Sequence, residues 1–217
     1  MLARKLTAAS ARAVAPWWRV GGAPEPVAAY QPIGAASLAD SYVNLANPGT
    51  FDAAPGGAPT FSAETGWGFN GTTQYLTTGI VPAVGYAVIV RISSVGASGT
   101  RAIIGVASVS GAGLVIFSQR LSGQAAWRSG GTFDKSPAAA DGTLGIGGQR
   151  AYRNGVDEGE IPAWTAVETR GLFLGANNNV GSPNLFFLGN IQAIAIYDTS
   201  TDHAIWVPAV SAAMAAL

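Results

Sequence analysis

Asp157, Glu158 and Glu160 form the one cluster of acidic side chains in the chain. In an extended segment Glu158 and Glu160 point to the same side, and a glycosidase uses two carboxylates flanking the scissile bond as acid and nucleophile. Here they follow directly on the turn dipeptide Asn154-Gly155, with Gly159 between them. Nothing in that setting would bury a carboxyl and raise its pKa, so they are expected to solvate a hairpin edge and to do no chemistry. His203 is the single histidine. Near the start of a terminal helix it reads as a surface or capping residue rather than a metal ligand. No Gly-x-Ser-x-Gly elbow supports a Ser-His-Asp triad, and GIGG at Gly145 to Gly148 lacks the Lys-Ser/Thr and the helix that complete a phosphate loop. With no cysteine the chain has neither a disulfide framework nor a thiolate metal site. No enzyme activity, metal or cofactor is expected.

Residues suited to binding are better represented. Trp127, Tyr152 and Trp164 are of the type that stacks on sugar rings, and Asn177, Asn178 and Asn179 are of the type that hydrogen-bonds sugar hydroxyls. The favoured reading, however, is that these aromatics fill the core and the asparagine run makes a turn.

The elements that would carry them are mostly strands. The stretch Gly66 to Gly79, GWGFNGTTQYLTTG, reads as strand and turn, with the bend at Asn70-Gly71 and Trp67, Phe69, Tyr75 and Leu76 as core area. Tyr86–Ile92, Ala102–Val106, Leu114–Phe117 and Ala125–Arg128 are β-rich runs between Gly and Ser clusters. Asn154-Gly155 predicts a two-residue hairpin that pairs Arg153 with Val156 and Tyr152 with Asp157. Leu185 to Asp198 is apolar on both parities near its end, as a strand covered on both faces requires. From Thr201 a short helix is expected, interrupted at Pro208, with Val210, Met214 and Leu217 on one face. Pro24, Pro26 and Pro32 mark an extended connection ahead of these strands.

Residues 1 to 20 carry Arg4, Lys5, Arg12 and Arg19 and no acid, and Leu2 to Ala15 has good helix formers without Gly or Pro. A short basic helix is expected there, retained in the working protein. Trp17 and Trp18 are its anchors, either on a partner or closing one end of the protein's own core.

Hydrophobic residues make up 48% of the 217 residues and charged ones 11%, with 12 basic against 12 acidic. So sparse and balanced a charge predicts a surface covered by neighbours, copies of the same chain among them. It argues against nucleic acid, whose phosphates require a basic face. No apolar run reaches the length of a membrane span.

The order of these motifs resembles the laminin-G-like, concanavalin A-like jelly-roll superfamily. WGFNGTTQYLTTG is similar to its FNG-x-x-x-Y opening strand, YAVIVRI to the next long strand, and RAIIGV and GLVIFS to the following pair. AYRNGV is similar to its YVNG hairpin, and FFLGNIQAIAIYD to its closing strand. The family's Trp-His pair is absent, KSPAAADGTLGI standing in its place, and no carboxylate cluster maps onto its Ca²⁺ sites. The resemblance implies an all-β jelly-roll sandwich over residues 61–200, preceded by an N-terminal arm at 1–60 and followed by a helical tail at 201–217. The layout YQPIGAASLADSYVNLANPGTFDAAPG before the opening strand also resembles bacteriophage and prophage virion proteins. That implies a non-enzymatic structural component of the phage particle, in its capsid decoration, collar or tail. It would dock on other virion proteins through Arg4, Lys5, Arg12, Trp17, Trp18 and Arg19. The alternative is a glycan-binding adhesion module.

Overall fold

The computed structural model describes residues 15–96, 99–107, 113–120, 123–164 and 168–217. The basic helix expected over Leu2 to Ala15, and with it Arg4, Lys5 and Arg12, lies outside them but for Ala15. The chain runs through a 3₁₀ segment (Trp17–Gly22), β1 (Ala28–Tyr30), α1 (Leu38–Ser41), β2 (Ala54–Gly57), β3 (Thr60–Ser62), β4 (Gly66–Asn70) and β5 (Tyr75–Thr77). Then come β6 (Ala87–Ser93), β7 (Arg101–Ala107), β8 (Gly113–Arg120), β9 (Gln124–Ser129), β10 (Gly131–Lys135) and β11 (Gly142–Gly147). The last elements are β12 (Arg150–Arg153), β13 (Val156–Glu160), β14 (Phe173–Leu174), β15 (Asn177–Asn179), β16 (Ser182–Asn184), β17 (Leu188–Tyr197) and α2 (His203–Ala215).

Among the described residues these strands make two sheets. The first runs β13-β12-β11-β6-β17-β4-β3, with β1 also on β17; the second runs β10-β9-β8-β7-β14-β5-β2, with β15 on β7 and β16 on β15. Their inner faces meet in one core around Trp67, Leu76, Ile92, Ile104, Trp127 and Phe187. This is the all-β jelly-roll sandwich with a short C-terminal helix that the motifs imply.

β17 shows why its sequence is apolar on both parities. Ile191, Ile194 and Ile196 enter the core between the sheets, while Ala193, Ala195 and Tyr197 face a second cluster under α2. A bulge after Ile191 lets Ile191 and Ile194, three apart, point the same way. α2 stacks Trp206, Val207, Val210 and Met214 on that outer face, together with Trp17. The helix carries Pro208 without interruption, and Leu217 lies beyond its end and is exposed, unlike Val210 and Met214.

The N-terminal boundary differs from expectation. β1 pairs with β17, Ala29 opposite Ala195, and β2 pairs with β5, so residues 28–57 belong to the sandwich. Their Pro-rich, irregular sequence hides this because the pairing partners are distant strands. The loop between them is held by Asn44, which is fully buried. Its Nδ2 donates to the carbonyls of Val27 (3.0 Å) and Thr50 (2.8 Å), and its Oδ1 accepts from the amides of Ala29 (2.9 Å) and Ala46 (3.1 Å).

The Asn154-Gly155 hairpin forms in the expected register, Arg153 opposite Val156 and Tyr152 opposite Asp157. Both turn residues have positive φ, 51° and 76°, which Asn and Gly tolerate best. GIGG is the end of β11 and the turn after it, and the asparagine run is strand β15 rather than a loop.

Candidate functional site

α2 covers only part of the first sheet's outer face. Its last turn ends over Arg91, whose Nη1 donates to the Met214 carbonyl at 2.7 Å, beside the Leu217 amide that the same carbonyl accepts at 3.2 Å. Beyond that point one register row crosses the sheet: Thr60 on β3, Gly68 on β4, Asn190 on β17 and Ser93 on β6. Their neighbours Trp67, Ile191 and Ile92 are core residues, so strand alternation turns this row outward. No element covers it among the described residues.

Gly68 makes the row concave. A Cβ there would lie 2.4 Å from Thr60 Oγ1 and 3.1 Å from Asn190 Oδ1, so the position has no room for a side chain between them. A cleft of about 300 Å³ opens at this end, lined by Thr60, Asn70, Gln74, Ser94, Leu188 and Asn190 among others. Its far wall is the turn after β4. Asn70 Oδ1 accepts the amides of Thr72 (2.9 Å), Thr73 (3.0 Å) and Gln74 (3.4 Å), which fixes the bend and sets Gln74 at the cleft. Gln74 Oε1 is buried without a hydrogen-bond partner. A second depression, about 400 Å³, continues past Ser93 towards Arg91, Asp141, Gln192 and Ala215. The first cleft is lined by amides, hydroxyls, two glycines, Phe69 and Leu188, with no charged side chain. Such a lining matches an uncharged ligand that offers many hydroxyls and some C–H surface.

The residues singled out from sequence lie elsewhere. Trp127 is fully buried in the core, with the Arg153 guanidinium 5.5 Å from its ring centre, and Trp164 is buried in the same cluster. Tyr152 is buried under α2. None of these three rings can stack on a sugar, which corrects their assignment: strand parity turns Trp127 into the core between the sheets, and Tyr152, on the outer face, is covered by α2. Asn177 and Asn178 are also buried. Asn177 Nδ2 donates to Asn184 Oδ1 (2.9 Å), and Asn178 Nδ2 donates to the Gly171 carbonyl (2.8 Å). Only Asn179 of the three is exposed.

Trp17, Trp18 and Arg19 are taken up by the fold. Trp17 is 9% exposed, its Nε1 donates to Gln31 Oε1 at 2.8 Å, and it meets Trp18 edge to face. The Trp18 carbonyl accepts from Tyr197 Oη at 2.8 Å, and Arg19 pairs with Glu25 at 2.7 Å. The tryptophans therefore close the protein's own outer cluster, the second of the two roles open to them, and are not free anchors for another protein.

Two acids of the hairpin cluster are paired with cations. Asp157 is held by Arg150 at 2.8 Å, and Glu158 lies between Arg153 (3.4 Å) and Lys135 (3.7 Å) at the sandwich edge. His203 packs on Gly147 and Gly148, its Nδ1 2.7 Å from Tyr152 Oη. Burial pushes its pKa below the ordinary histidine value, with Arg150 adding to the effect and Asp157 and Asp202 opposing it. Burial raises the Tyr152 phenol, Asp157 adding to it. Among the described residues no group of three His, Asp or Glu side chains could hold a metal.

No family model matches the chain, and no curated protein matches it. Solved structures do. Domain 4 of AbnA, a GH43 extracellular arabinanase from Geobacillus stearothermophilus solved with arabinotriose, aligns at a TM-score of 0.58 and 17% identity over 86% of this chain and 98% of that one. Trypanosoma rangeli sialidase, solved with sialic acid, aligns at 0.54 and 11% identity over 84% of this chain but only 32% of the sialidase. The chain likewise covers 28% of a variant of the NanB sialidase from Streptococcus pneumoniae, at a TM-score of 0.49 and 13% identity. The chain thus spans nearly all of the arabinanase domain and about a third or less of either sialidase. At these identities the likeness is one of fold.

Proposed function

We propose that the protein is a non-catalytic carbohydrate-binding module that takes a neutral glycan in the cleft between Thr60, Gln74, Ser94 and Asn190. The observation that carries this reading is the cleft's make-up: a concave, uncovered stretch of sheet whose lining hydrogen-bonds without charge. The arabinanase domain of the same fold, nearly all of which this chain spans, was solved with arabinotriose and supports it. The paired state of Asp157 and Glu158 at a sheet edge supports the absence of catalysis. Docking in a virus particle through Trp17 and Trp18 is set aside, because both are packed against the protein's own β17 and α2.

The test is a titration of the full chain with arabinotriose and a panel of neutral oligosaccharides, followed by amide NMR. Binding should move the Asn190, Ser94 and Gln74 side-chain or backbone signals. Each lost hydrogen bond is worth about 1 kcal/mol, so Asn190→Ala should weaken binding roughly fivefold, and Gly68→Leu, which fills the floor, more than that. If no neutral oligosaccharide moves these signals, the reading is wrong.

A further inference from the structure

The second depression on the first sheet's outer face differs in chemistry from the cleft beside it. Arg91, Ser93, Asp141, Gln192 and Ala215 line it, so it holds one acid and one base where the cleft holds neither. Gln192 reaches it through the bulge in β17. Ile191 is opposite Ile92 and Ala193 opposite Arg91, which leaves Gln192 between them as the extra residue of that strand. A bulge re-aims a side chain in this way, and here it adds an amide to the outer face. Asp141 is exposed and makes no ion pair among the described residues. The Arg91 guanidinium carries five N–H donors, of which the Met214 carbonyl takes one.

The two depressions run into each other. They adjoin on β17, where Asn190 lines one and Gln192 the other, and at the end of β6, where Ser94 lines one and Ser93 the other. Gly142 is opposite Ile92, so Asp141 continues the outward row one strand beyond Ser93. The full row is Thr60, Gly68, Asn190, Ser93 and Asp141. Gly68, Asn190 and Ser93 are half-buried, and Thr60 and Asp141 at its two ends are exposed. β3, which carries Thr60, is the last strand of the sheet on that side. At ~4.8 Å per strand the four steps span about 19 Å, roughly three to four sugar units. A groove open at both ends admits the interior of a chain, whereas a site that reads a chain end needs a closing wall.

We propose that the two depressions form one groove that binds an interior stretch of a linear neutral glycan, at least three units long, with the depression at Arg91 and Asp141 as a second subsite. The Asp141 carboxylate only accepts hydrogen bonds and the Arg91 guanidinium only donates them, so neighbouring hydroxyls of one sugar satisfy both, one donating and one accepting. The Gln192 amide offers a donor and an acceptor between this subsite and Asn190. One acid with one base leaves no net charge to select an ionised sugar. The inference rests on the carbohydrate reading above and adds to it a minimum chain length and a second set of contacts.

The experiment titrates the full chain with linear arabino-, xylo- and gluco-oligosaccharides of one to five units, by calorimetry and by NMR of the Asn190 and Gln192 side-chain amides and the Arg91 Nε–Hε. With one or two units the Asn190 amide should respond alone. From three units the Gln192 and Arg91 signals should move as well, and affinity should rise roughly tenfold between two and four units and then level off. Asp141→Ala should abolish that rise, whereas Asn190→Ala should lower affinity at every length. Asp141 is exposed, and a melting curve of its variant checks that the fold is intact. If Asn190 responds while Gln192 and Arg91 stay silent and affinity is flat with length, the groove is wrong and the cleft reading stands. If all three signals stay silent at every length, both are wrong.

Discussion

Trp206→Ala removes the central side chain by which α2 holds to the first sheet. The indole is 1% exposed, packs on Tyr197 at 4.6 Å between ring centres, and donates from Nε1 to the Thr201 carbonyl at 2.8 Å. Truncating a buried Trp to Ala costs about 3 to 5 kcal/mol, a figure that already contains lost burial and the cavity left behind. The aromatic pair and the hydrogen bond account for roughly 1 kcal/mol each within it. For a domain of this size 1 kcal/mol moves the melting temperature by about 2 to 4 °C, so the variant should melt roughly 6 to 20 °C lower. Trp206→Phe keeps a ring against Tyr197 and loses the donor, and should fall between the two. Differential scanning calorimetry reads both. A drop below about 2 °C for the alanine variant would mean that α2 does not cover β17 as described, and the boundary of the open half-face would move with it.

Other consequences can be checked on the same preparations. His203 has a folded-state pKa below its unfolded value of 6.5, so the neutral ring is the form the fold favours. The stability it contributes is complete above that value and is lost as pH falls through the lower, folded one. Melting temperature should therefore drop more steeply on acidification in the wild type than in His203→Gln; parallel curves would rule the group out. Asn44→Ala strands the Val27 and Thr50 carbonyls and the Ala29 and Ala46 amides. At about 1 kcal/mol or more per buried polar group left unsatisfied, a loss of roughly 3 to 5 kcal/mol is expected in urea unfolding. A loss under about 1 kcal/mol would show that water takes over these groups.

Much of the fold can be read along the chain because its signals are local. Asn154-Gly155 sets its hairpin register through the φ values those two residues accept, and Ile194 to Tyr197 announces a doubly covered strand through composition alone. The segment ahead of β3 resisted reading for the opposite reason. β1 and β2 are three and four residues long, and what makes them strands is β17 and β5, reached only when the sheets assemble.

The candidate sites divide along the same line. From sequence, Trp127, Tyr152 and Trp164 are of the type that makes sugar platforms, and Asn190 is an unremarked member of a strand. A side chain's type is in the sequence, but the face it takes depends on where a bulge shifts the alternation and which face another element covers. The bulge after Ile191, the end of α2 at Arg91 and the packing of Trp17 on the outer cluster are all tertiary events. By itself the sequence determined a sparsely charged, cysteine-free β-sandwich with a terminal helix. Only the tertiary structure decided that its tryptophans go inside and that Gly68 opens a cleft, because each depends on contacts between residues far apart in the chain.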